Sequence, residues 1–135
     1  MLVLRDIVVP VDFEPTSYQA LDYARTLAWT FRARLHLLHV LEDSFALPAG
    51  TEGSLSAFPR LERQVEGGVH DRLNALLSDA DRSAGAATVV RLGATPAPTI
   101  VEYATEIHAD VIVMGTRNGA VLDTLGSVAE QVIRT

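Results

Sequence analysis

At 135 residues the chain is long enough for one compact domain with a buried core and too short for two ordinary ones. With 48% hydrophobic and 21% charged residues it is neither a disordered nor a fibrous chain, and a net charge of −6 argues against nucleic acid or an anionic membrane as partner. The absence of cysteine closes off disulfides, thiolate zinc sites and thiol nucleophiles, and all 11 basic residues are arginine, which removes Schiff-base chemistry, a Walker A lysine and the lysine of a receiver domain.

The first segment, Val3 to Val11, is a short β-branched run with Pro10 near its end, and it predicts a strand that stops there. Thr16 and Gln19 have capping-box spacing, and Leu21, Ala24, Leu27, Ala28 and Phe31 follow at helical intervals, so a helix is expected from about Ser17 to Phe31, with Trp29 and Phe31 assigned to packing. Leu35 to Leu41 is apolar and too short for an ordinary helix, which makes it the second strand. From Glu42 to Pro59 the chain is rich in Gly, Ser, Pro and Ala without periodicity and reads as a long loop. Leu61, Val65, Val69, Leu73, Leu76 and Leu77 form the stripe of a second helix, expected to run on to Ser83-Ala84-Gly85.

Thr88 to Leu92 is the third strand, Thr95-Pro96 opens a helix whose buried face runs from Ile100 to Ile107, and Val111 to Met114 is the fourth strand. Ser127 and Glu130 make a further capping box, opening a last helix through Val128, Val132 and Ile133. This alternation, βαβαβαβα, implies an α/β fold: a doubly wound, open parallel sheet with helices on both faces, in one domain spanning residues 1–135. No apolar run reaches the length of a signal core or a membrane span, so the expected location is the cytoplasm and the expected partners are small molecules or proteins.

In such a fold ligands sit outside the carboxyl ends of the strands where the strand order reverses. The segments to examine are therefore residues 10–13, 40–42 and 115–119. The glycines of Gly115-Thr116-Arg117-Asn118-Gly119, with the helix start at Gly126-Ser127, would let backbone N–H groups approach a phosphate; the same residues also suit a turn and a helix cap. Asp12 is the best single candidate, either accepting from a ribose hydroxyl or a Mg²⁺-bound water or capping a turn, and Arg117 would either clamp a phosphate or stand solvated in its loop. His36 and His39 are three apart on a strand, point to opposite faces and cannot share a metal; His70 and His108 fall on helices and are expected at the surface. No nucleophile elbow, catalytic triad order or metal cluster stands out, so the chain is not expected to be an enzyme.

Over nearly its whole length the chain resembles the universal stress protein family. The resemblance rests on Ile7-Val8-Val9-Pro10-Val11-Asp12-Phe13, Ala20-Leu21 and Ala24, Leu37-Leu38-His39-Val40, Gly93, Ala109 to Thr116, and Gly126-Ser127-Val128-Ala129-Glu130-Gln131-Val132. It implies a stress-adaptation protein binding ATP, with Mg²⁺, between the first and fourth strands. The implied site residues are Pro10, Val11, Asp12, Val40, Met114, Gly115, Arg117, Gly119, Gly126, Ser127 and Val128. Members that bind ATP carry a loop of the form G-x-x-G-x₉-G-[ST]. Here Asn118 stands where the second glycine belongs, and seven residues separate it from Gly126. The alternative is therefore a dimeric interaction protein of the same family that binds no nucleotide. The family also continues into a fifth strand used for dimer pairing, which is expected to be missing after Thr135.

Overall fold

The computed structural model describes residues 3–42 and 57–115. In chain order these form β1 (Asp6–Pro10), α1 (Pro15–Phe31), β2 (Arg34–Glu42), α2 (Pro59–Leu76), α3 (Asp79–Ser83), β3 (Ala87–Gly93), α4 (Pro96–Glu106) and β4 (Val111–Ile112). The sheet order is β3-β2-β1-β4 and every pairing is parallel. Each crossover between neighbouring strands is carried by a helix, as a parallel pair requires. The last helix expected from sequence, opening at Ser127, lies outside the described residues.

The core has two halves because side chains alternate across a strand. Ile7, Val9, Leu35 and Leu37 point to one face, where Leu21 and Ala24 of α1 and Val69 and Leu73 of α2 close over them. Val8 and Leu38 point to the other, against Ile100, Tyr103 and Ala104 of α4. The central strand β1 is thus buried on both sides, which is why its sequence reads as a continuous β-branched run rather than an alternating one.

Several boundaries differ from the sequence reading. Residues 3–5 precede β1 and are not strand, so the ladder begins only at Asp6, which pairs with Arg34. The helix α1 starts at Pro15 with Glu14 as its N-cap, and Thr16 makes no capping box; the Asp12 carboxylate accepts from the Glu14 N–H instead, at 2.9 Å. The second helix does not run to Ser83. Leu77 leaves helical geometry, and Ser78 opens the separate α3 with a reciprocal capping box to Asp81. The break is held from α1: the Arg25 guanidinium donates to the Leu76 carbonyl and to Asp81 Oδ2, the latter at 3.0 Å. Burial pushes the Asp81 carboxyl up, but the Ser78 N–H and Arg25 outweigh it and leave the group below its usual value. Trp29, expected in the packing, is 86% exposed, because it lies away from the side of α1 that carries Ser17, Ala20, Leu21 and Ala24 inward.

Candidate functional site

The order β3-β2-β1-β4 reverses at β1. From there the chain builds outward through β2 to β3, then returns past β1 to lay down β4 on its other side. The helix that follows β1, α1, and the helix that leads into β4, α4, lie on opposite faces of the sheet, and the gap between the carboxyl ends of β1 and β4 is the crevice where such sheets take ligands.

Pro10, Val11 and Asp12 line one side of that gap. Val11 is 3% exposed and its N–H donates to the Leu38 carbonyl at 2.8 Å, so the turn leaves the sheet directly after it. Asp12 is exposed. On the other side the Val113 N–H donates to the Val8 carbonyl at 2.9 Å, prolonging the β1–β4 pairing toward Met114 and Gly115. Met114 and Val40 are half-buried against the α4-side cluster, and Pro10, two residues beyond Val8, shares that face. The three make an apolar floor beside the turn that carries Asp12. Gly115 packs on the first turn of α1: a Cβ there would lie 2.5 Å from the Thr16 carbonyl oxygen, so the two segments approach as closely as backbone can. Arg117, Gly119, Gly126, Ser127 and Val128, the remaining residues of the expected site, lie outside the described residues.

The turn after β1 has a geometry that local sequence does not signal. Phe13 adopts φ 63°, the left-handed region, where a bulky side chain costs of order 1–3 kcal/mol. Its ring lies 5.0 Å, centroid to centroid, from that of His39 on β2, and the Arg72 guanidinium of α2 stands 3.8 Å above it. The Phe13 carbonyl accepts from the Tyr18 hydroxyl at 3.3 Å, and the Val11 carbonyl accepts from His39 Nδ1 at 2.7 Å. Phe13, Tyr18, His39 and Arg72 converge only in three dimensions.

The other histidines have structural settings. His36 bridges Asp6 Oδ1, at 2.8 Å, and the Tyr103 hydroxyl, at 3.0 Å, on the α4 side of the sheet. Burial pushes the Tyr103 phenol above its usual value. His70, expected at the surface, is half-buried and meets Thr88 Oγ1 at 3.0 Å because α2 lies against β3. His108 is exposed, as expected, but follows α4 in a left-handed turn rather than lying on a helix. Among the described residues no group of three acidic or histidine side chains is placed to hold a metal.

A shallow depression lies at the opposite, amino edge, lined by Val3, Arg5, Asp6, Ile107, His108 and Asp110. There Asp110 Oδ2 accepts from the Arg5 N–H at 2.7 Å and from the Asp6 N–H at 3.1 Å. It is a joint between strands, and the switch-point crevice remains the candidate site.

The model of the universal stress protein family matches residues 4–135. The universal stress protein MJ0531 of Methanocaldococcus jannaschii is 33% identical over 132 residues, covering 96% of this chain and 76% of its own. Among solved structures, a universal stress protein family member from Burkholderia pseudomallei superposes with a TM-score of 0.67 at 26% identity, covering 97% of this chain and 89% of that one. The Archaeoglobus fulgidus universal stress protein in complex with dAMP superposes at 0.59 with 22% identity, covering 100% and 93%. No described helix is long and apolar enough to cross a membrane. With the four strands of the described residues in a parallel sheet that reverses at β1 and a family match over nearly every residue, this chain belongs to the universal stress protein family.

Proposed function

We propose that this protein binds an adenine nucleotide, ATP with Mg²⁺, in the crevice between β1 and β4, and serves stress adaptation in the cytoplasm as a binding protein rather than an enzyme. The observation that carries the reading is the reversal of strand order at β1, which brings residues 10–12 and 113–115 to the two sides of one gap. The chemistry of the gap suits a nucleoside. Pro10, Val40 and Met114 offer an apolar floor for a base, and the exposed Asp12 carboxylate accepts hydrogen bonds of the kind a ribose donates. A relative of the same fold is described with dAMP, which supports adenine as the class of base. In this reading Arg117, Gly119 and the helix start that the sequence predicts at Gly126-Ser127-Val128 supply the phosphate contacts.

Isothermal titration calorimetry with ATP and Mg²⁺ tests the proposal. Saturable binding is expected, weakened about tenfold in Asp12→Ala, since a hydrogen bond to a charged acceptor contributes roughly 1.5–3 kcal/mol. No heat up to millimolar ATP overturns it. One observation favours a second reading: only seven residues lie between Asn118 and Gly126 where the family's motif has nine, which shortens the reach of the loop. A homodimeric interaction protein without nucleotide would then give no heat, yet sediment as a dimer whose stability is independent of ATP.

A further inference from the structure

We infer that Phe13 is a positioning residue for the ligand site, clamped between the His39 ring and the Arg72 guanidinium so that the turn carrying Asp12 is fixed before any ligand arrives. The inference rests on the nucleotide reading for what Asp12 does, but on geometry alone for how Asp12 is held.

A bulky residue at φ 63° persists only where its surroundings over-determine it. Here they do so from three elements. The His39 ring of β2 lies 5.0 Å from the Phe13 ring, tilted by 38°. The Arg72 guanidinium of α2 covers the ring at 3.8 Å, within the range of a cation–π contact. The Tyr18 hydroxyl of α1 holds the Phe13 carbonyl. On the other side of Asp12, His39 also takes the Val11 carbonyl, so a single imidazole braces both neighbours of the candidate ligand residue. Asp12 itself is tied through Oδ1 to the Glu14 N–H at 2.9 Å, so the same turn sets the carboxylate and starts α1.

Pre-setting the turn removes an ordering cost that binding would otherwise meet, which raises affinity without a new contact. Phe13 touches no ligand in this scheme. It acts through Asp12, and Arg72 acts through Phe13.

The test uses the full chain with Phe13→Ala, which removes the ring but keeps the Cβ and so the cost of the positive φ; Phe13→Tyr, which keeps the ring; and Arg72→Ala, at an exposed helix position. Amide hydrogen exchange at Glu14 reports the Asp12 turn with no nucleotide present. In Phe13→Ala this exchange is expected to accelerate at least tenfold and ATP affinity to fall about tenfold. In Arg72→Ala both should change by about threefold, and in Phe13→Tyr both should stay within twofold, while exchange in α4 is unaltered throughout. Glu14 exchange unchanged in both Phe13→Ala and Arg72→Ala overturns the clamp, and should Phe13→Ala fail to fold, Arg72→Ala decides alone. Should the wild type bind no ATP, the nucleotide reading fails, and the exchange rates still decide whether the turn is clamped.

Discussion

At Gly115 an added Cβ would stand 2.5 Å from the Thr16 carbonyl oxygen and 2.6 Å from the carbonyl carbon, and neither is the end of a side chain that can swing aside. At Gly67 and Gly68, in the middle of α2, an added Cβ would meet nothing within 4 Å. The same one-methyl change should therefore have opposite signs. Gly115→Ala forces backbone apart and is expected to destabilise by about 1–3 kcal/mol, in the manner of an overpacked core. Gly67→Ala relieves a helix-interior glycine of its entropic cost and is expected to stabilise by roughly 0.5–1 kcal/mol. Urea denaturation of the two variants checks this: the midpoints should move in opposite directions with the slope unchanged. Gly115→Ala should also weaken ATP binding, since it wedges the two sides of the crevice, whereas Gly67→Ala should leave affinity alone.

At the scale of elements, a carboxylate adds to the backbone pairing that joins the short β4 to β1. Asp110, just before β4, accepts from the N–H groups of Arg5 and Asp6 at the start of β1, more than a hundred residues away in sequence. Those two donors hold its carboxyl below the usual value of 3.8. The sign follows from linkage. A carboxyl whose pKa is depressed on folding stabilises the fold fully above its unfolded value, and that contribution is lost as pH falls from about 3.8 through the lowered folded value. Asp110→Asn keeps an acceptor oxygen but cannot be protonated, so thermal melts from pH 5 downward should show a shallower acid limb in the variant than in the wild type; identical limbs would rule this carboxylate out as a cause. The joint was not readable in the sequence, because nothing near Asp110 names Arg5 as its partner. The apolar runs and helical stripes did place all four strands and the three long described helices, since burial is written into residue type. What they misjudged were ends. The stripe Leu61 to Leu77 predicts a helix running on to Ser83, yet Ser78 and Asp81 form their own capping box and Arg25 holds the Leu76 carbonyl, a local polar competition that outweighs periodicity. The same limit hid the Phe13 turn. Asp12 stands out as an acidic residue at a strand end, but a phenylalanine at positive φ is decided by His39 and Arg72, which the chain brings in from β2 and α2.

For the molecule as a whole, the sheet is a partition between two apolar clusters. Leu73 of α2 is fully buried in one, and Ile100 of α4 is 2% exposed in the other. Among the described residues the clusters share no buried residue, and the two central strands contribute to both: β1 through Ile7 and Val9 on one side and Val8 on the other, β2 through Leu35 and Leu37 on one side and Leu38 on the other. Two consequences pull in different directions. Because the helices are separated by the sheet, losses on the two faces should add: Leu73→Ala is expected to cost about 2–5 kcal/mol and Ile100→Val about 0.5–1.5 kcal/mol, with the double variant within about 0.5 kcal/mol of the sum. Because β1 is held from both faces at once, neither cluster can melt while the other stands, so each variant should still unfold in one transition by both near- and far-ultraviolet circular dichroism. A coupling energy well above 0.5 kcal/mol would mean that the faces communicate through the strand. A second transition would mean instead that α4 with β4 unfolds as its own unit, and the crevice would then lie along the boundary between a stable part of the protein and a labile one. Under the single-transition outcome a ligand seated between β1 and β4 stabilises the entire domain, and ATP at 100 times its Kd should raise the stability of the wild type and of both core variants alike by about 2.7 kcal/mol.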